Sequence, residues 1–113
     1  MTFLEELNYL LTGLGLSVET GVFSDTAPDE YIVITPMDDV FGFHADDTPQ
    51  FDTQEARLSL FSKGNYIKRK NAVVKALLAA GFTITARTYV GHEDDTGYNH
   101  FAIDVAKNYE LED

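Results

Sequence analysis

Between Glu55 and Phe82 the apolar residues change period once, and that change limits the folds open to this chain. Ala56, Leu58 and Leu60 alternate with Arg57, Ser59 and Phe61, the two-residue period of a strand with one buried face. Lys63-Gly64-Asn65 then reads as a turn, with Asn65 placed to cap a helix that runs to about Ala80. Ile67, Val74, Leu77 and Leu78 are expected to form its buried stripe. Gly81 supplies the C-terminal stop, and Phe82, Ile84, Ala86 and Thr88 open another strand that ends near Gly91.

The rest of the chain falls into the same two periods. Thr2 and Glu5 fit a capping box at the start of a first helix, whose face is Phe3, Leu4, Leu7, Leu10, Leu11 and Leu14, ended by Gly13 and Gly15. Ser17 to Phe23 is a weaker strand candidate, with Val18 and Val22 at even spacing, and Pro28 lies in a turn. Tyr31 to Thr35 is β-branched and aromatic, and Pro36 either ends that strand or marks a sheet edge. Phe101, Ile103 and Val105 form the apolar face of a last strand, beyond the polar turn His92 to Gly97.

Helix, three strands, helix, two strands is therefore the expected order. Strands that come in groups, instead of alternating with helices, predict an α+β fold: a largely antiparallel sheet with two helices packed on it. One domain over residues 1–113 fits the length. Residues 38–53 are expected to be a flexible acidic loop or an extended arm that orders on assembly, and residues 108–113 a frayed tail.

Charge is segregated along the chain. Residues 1–55 hold twelve acidic and no basic side chains, residues 56–92 seven basic and no acidic, and residues 93–113 seven acidic plus Lys107, for a net charge of −11. Two arrangements satisfy this pattern: ends that pair with the middle inside one chain, or a basic and an acidic face that stack on copies of the same molecule. The net sign argues against gripping a nucleic-acid backbone. The candidate interface residues are Lys68, Arg69, Lys70 and Lys75 on the second helix. Facing them in charge are Asp38, Asp39, Phe41, Phe43, Asp46 and Asp47 in the acidic segment.

Signals for catalysis are missing. There is no cysteine, no Gly-framed serine and no Gly-rich phosphate loop. Asp38, Asp39, His44, Asp46 and Asp47 do not follow any metal-loop spacing, nor do His92 to Asp95, so no metal or cofactor is expected. His100 is expected to face solvent or a neighbour. The first residues lack a basic leader and the apolar runs are too short to span a bilayer, so no membrane is expected.

Several phrases between residues 28 and 107 carry a resemblance. They are Tyr31-Ile32-Val33-Ile34, then Phe43-His44-Ala45-Asp46-Asp47, then the strand Gln54 to Lys63. A helix ending Leu77-Leu78-Ala79-Ala80-Gly81-Phe82 follows, and then Tyr98 to Val105. In this order they resemble the small tail-terminator and head–tail joining proteins of prophages and long-tailed bacteriophages. Phe61 stands where that family often has Tyr, and Arg87-Thr88-Tyr89 lies near a similar triplet. The resemblance implies an α+β subunit without catalytic residues. It implies a ring, commonly a hexamer, with itself and other tail or head-connector proteins as partners. Such a subunit moves from host cytoplasm to virion, and DNA passes through without specific binding. An acidic binding module and a small enzyme are the competing classes.

Overall fold

In the computed structural model, which describes residues 2–20, 28–41, 44–45, 48–49 and 51–110, helix α1 (Phe3–Gly13) starts at the expected capping box. Thr2 Oγ1 accepts from the Glu5 amide at 3.2 Å, and Glu5 Oε1 accepts from the Thr2 amide at 3.1 Å. Strands β1 (Ser17–Thr20), β2 (Glu30–Phe41), β3 (His44–Ala45), β4 (Thr48–Pro49) and β5 (Phe51–Ser62) follow. Helix α2 (Tyr66–Ala79) and strands β6 (Thr83–His92) and β7 (Asn99–Glu110) complete the fold. It is α+β, as the grouping of strands predicts.

The sheet corrects one expectation. It has five strands in the order β1-β2-β5-β7-β6, and it is mixed: β1 runs parallel to β2, while the other three junctions are antiparallel. Even spacing of Val18 and Val22 reports a strand but not its direction. Strand β2 also runs on through Pro36, with its register against β5 shifting between Pro36 and Asp39. Among the described residues nothing pairs with β2 beyond Ile34 on its β1 side, where the missing N–H of Pro36 costs no ladder bond.

Between residues 38 and 53, the described backbone belongs to β2 and β5, with β3 and β4 paired to each other as a small two-stranded sheet. The resulting hairpin is an extension of the main sheet, and β7 continues beside it through Asn108, Tyr109 and Glu110, where the sequence suggests a frayed end. Long strands of this kind, twelve residues in β2, β5 and β7, give the molecule extents of 54 × 24 × 23 Å. No helix among the described residues is long and apolar enough to cross a membrane.

One sheet face carries the core. Ile32, Ile34, Ala56, Leu58, Leu60, Phe101, Ile103 and Val105 pack against Phe3, Leu7 and Leu11 of α1 and against Val73 and Leu77 of α2. The buried stripe of α2 thus differs from the expected one: Leu77 is in it, Val73 replaces Ile67 and Leu78, and Val74 is only partly buried. At the end of α2, Phe82 N–H donates to Leu77 C=O at 3.0 Å and Gly81 N–H to Leu78 C=O at 3.1 Å. That double bond pattern closes the helix and needs φ of +88° at Gly81, a conformation glycine adopts without a Cβ penalty.

Lys107 ties the two helices to β7. Its ammonium donates to Glu6 Oε1 and, at 3.0 Å, to the Ala80 carbonyl at the end of α2, while lying over the Phe82 ring. Tyr109 donates to the second Glu6 oxygen at 2.9 Å. Burial pushes the Glu6 carboxyl up, but the bonds from Lys107 and Tyr109 and the Lys107 charge outweigh it and leave the pKa below its ordinary value. Burial, with the Glu6 bond and charge, raises that of the Tyr109 phenol.

Candidate functional site

The basic and acidic residues singled out from sequence lie on separate elements where they are described. Arg69 points into the fold: its Nε donates to Glu30 Oε1 at 2.7 Å and its NH1 to the Leu14 carbonyl at 2.9 Å. Lys70 lies over the Phe101 ring with its ammonium 5.3 Å from the centroid. Lys68 and Lys75 remain on the exposed outer face of α2. Asp38, Asp39 and Phe41 are in the distal part of β2, the end of the strand away from Glu30 and Arg69. Phe43, Asp46 and Asp47 lie outside the described residues.

Charge segregation is answered in part inside the chain. Arg57–Asp104, Lys63–Asp29 and Arg69–Glu30 each join the basic middle to an acidic flank, at 2.8, 3.8 and 2.7 Å. The Lys63–Asp29 pair is long and its carboxylate is exposed, so it adds little. Arg57 is bidentate on Asp104, with NH2 3.1 Å from the second oxygen, and fixes two neighbouring strands on the sheet face away from the helices.

That outer face also holds a row of rings. Tyr31 stacks on Phe61 with centroids 4.8 Å apart, and Phe61 stacks on His100 at 4.3 Å. Tyr98 stands edge-on to both Tyr31 and Phe61. Of the two surroundings expected for His100, solvent or a neighbour, the ring meets a neighbour, Phe61. Its Nε2 is buried with no hydrogen-bond partner among the described residues, and burial lowers its pKa, against a smaller opposing effect of Glu93.

Apart from Tyr9 on α1 and Met37 on β2, the exposed large apolar side chains among the described residues lie on α2 and β6. Ile67 is 51%, Leu78 58%, Tyr89 45% and Val90 55% exposed. At 100° per residue, Arg69 marks the flank of α2 nearest α1, and Ile67, Val74 and Leu78 fall on the opposite flank. That flank is the β6 side, where the Tyr66 ring lies 5.3 Å from Tyr89. Strand β6 is the terminal strand of the sheet, and its residues are exposed apart from the half-buried Ile84 and Gly91. Its register shifts between Ile84 and Ala86 and again between Tyr89 and Gly91, the bulges that sheet edges commonly carry. Strand β1, of four residues, forms the opposite edge.

Sequence reasoning missed this surface because it placed Ile67 and Leu78 in the core. The available signal was a surplus: α2 has more large apolar residues than one buried face accommodates.

The fold and its exposed edge define an α+β protein with a five-stranded mixed sheet, two helices on one face, and unlike terminal strands. Compared with models of known protein families and with curated proteins, the sequence matches none.

Proposed function

We propose that this protein is a non-enzymatic structural subunit of a phage particle. It forms a ring of identical copies that ends the tail tube or joins tail to head. The observation that carries the reading is the β6 edge with its fringe of Ile67, Leu78, Tyr89 and Val90 on a sheet whose other edge is a different strand. Two unlike edges on one molecule suit head-to-tail association, which generates a ring when the rotation closes. The resemblance between residues 28 and 107 points to the same class. With a net charge of −11, such a ring repels phosphates, so DNA passes its lumen without sticking. Other tail or head-connector proteins are the further partners.

Light scattering on the untagged chain, followed by electron microscopy of the leading fraction, tests this reading. A discrete ring-shaped oligomer is expected. A monomer at all concentrations overturns it. The net charge favours one alternative, an acidic module that binds a basic partner. That alternative predicts a monomer which forms a one-to-one complex with the partner.

A further inference from the structure

The geometry points to a specific junction between copies: strand β6 of one molecule pairs antiparallel with β1 of the next, so that the sheet continues from subunit to subunit. This inference rests on the reading of the chain as a self-assembling subunit, and names the two surfaces that meet.

Strand direction is the first argument. Because β1 is parallel to β2, and the other junctions alternate, β1 and β6 run in opposite directions. A second copy placed beside the first by rotation, with helices on the same side, brings its β1 alongside β6 in antiparallel sense. An all-antiparallel sheet in the same strand order would have placed the same two edges parallel. The mixed sheet therefore makes its own two edges compatible with the commoner and slightly more stable pairing.

Register is the second. Val18, Ile32, Leu60, Phe101 and Tyr89 share one row across the sheet. Glu19, Val33, Ser59, Ala102 and Thr88 share the next, and Thr20, Ile34, Leu58, Ile103 and Arg87 the one after. When copies meet without an axial step, Tyr89 stands across from Val18 on the helix side, an aromatic–β-branched pair of the kind that stabilises sheets. Thr88 stands across from Glu19 on the other side. Val18, Glu19 and Thr20 meet Tyr89, Thr88 and Arg87, between the two bulges of β6, and Ser17 meets Gly91 just past the second.

Charge and cover agree. Among Asp, Glu, Lys and Arg, β6 carries only Arg87 and β1 only Glu19, so the junction has opposite signs and no like pair. Helix α1 packs over β1 and α2 over β6, so the neighbour's α1 layer comes beside Ile67 and Leu78. Like charges directly opposed on a ladder destabilise it, whereas a short ladder repeated at every junction of a ring does not need to be strong alone.

The chain has no cysteine, so an engineered pair reports the junction without background. Glu19→Cys with Thr88→Cys in one chain is expected to give a ladder of disulfide-linked multimers under oxidation. Each single variant is expected to give none beyond a dimer. As a second measurement, Thr88→Glu is expected to weaken assembly about threefold by opposing Glu19, and adding Glu19→Lys to restore it. An assembled protein that yields no ladder and is indifferent to the charge swap overturns the β6–β1 junction while leaving the ring standing. A wild-type chain that is monomeric throughout overturns the ring reading and the junction with it.

Discussion

Arg69 holds Glu30 and the Leu14 carbonyl together, with its guanidinium 2.7 Å from the first and 2.9 Å from the second. One side chain of α2 thereby closes the end of α1 onto the start of β2. Glu30 also accepts from the buried Ser62 hydroxyl at 3.0 Å, which in turn accepts from the Gly64 amide. Arg69→Ala removes the guanidinium of this partly buried group. Such a loss costs about 2 kcal/mol, hydrogen bonds to charged groups being worth more than neutral ones. Calorimetry should show a melting temperature lower by roughly 5–10 °C. An unchanged melting temperature would mean that water replaces the guanidinium at no cost.

The Lys107 junction should behave as one unit. Lys107→Met keeps the apolar stem over Phe82 but leaves Glu6 and the Ala80 carbonyl short of a donor. Both charged groups retain some exposure, so the expected cost is about 2 kcal/mol, below that of breaking a fully buried pair. Glu6→Gln should cost less, since the amide still accepts from Tyr109. The double variant should lose less than the sum, because the second change removes a partner already missing. Strict additivity in urea melts would show that the three side chains are neighbours without coupling.

Much of this fold is legible in the sequence where a single residue type has a local reason to be where it is. Thr2, Asn65 and Gly81 mark helix ends through bonds within a few residues of themselves. Ala56, Leu58 and Leu60 announce a one-sided strand because side chains on a pleat alternate. The losses come where two placements satisfy the same local pattern. Helix α2 buries Val73 and Leu77 and not the Ile67–Leu78 flank, a choice consistent with Arg69 turning toward Glu30. The direction of β1 depends on where the chain returns after Thr20, which Val18 does not encode. Asp38 and Asp39 argue against a strand by propensity, yet β2 continues through them because β5 continues opposite. The basic run is spread for the same reason: its lysines and arginine read as one face, although Arg69 and Lys70 turn toward Glu30 and Phe101.

His100 should make the fold acid-sensitive above the range of the carboxylates. Its Nε2 is buried with no partner among the described residues, Phe61 stacks on its ring, Glu93 acts on it with one sign and Arg57 with the other, and burial leaves the folded pKa below that of the unfolded chain. The unfolded state therefore binds more protons, and stability rises with pH across the gap between the two values. Stability should be complete above about pH 6.5, the ordinary histidine value, and fall as the pH drops below it toward the folded pKa. Urea midpoints measured stepwise from neutral to mildly acidic pH check this. His100→Gln should flatten the slope in that window. A slope that survives the substitution assigns it to another group.

Self-association should respond to the apolar flank of α2 and not to its lysines. Lys68 and Lys75 point outward, and Lys68→Glu with Lys75→Glu is expected to leave both the oligomer number and the melting temperature as they were. Raising salt from about 0.1 M to about 1 M shortens screening from roughly 10 Å to roughly 3 Å, so association carried by charge would weaken markedly. Burial of apolar surface carries no such penalty. Ile67→Ala and Leu78→Ala remove side chains that are more than half exposed in the single subunit, so the fold keeps its core and the helix gains slightly in propensity. If the neighbour covers them, each truncation forfeits about 1.4 kcal/mol of buried area, a tenfold weaker assembly constant. Sedimentation of the double lysine reversal and the two alanine variants at both salt concentrations separates the mechanisms. Assembly that collapses in high salt and ignores the two alanines would return the interface to the charged face and remove the support for an apolar one.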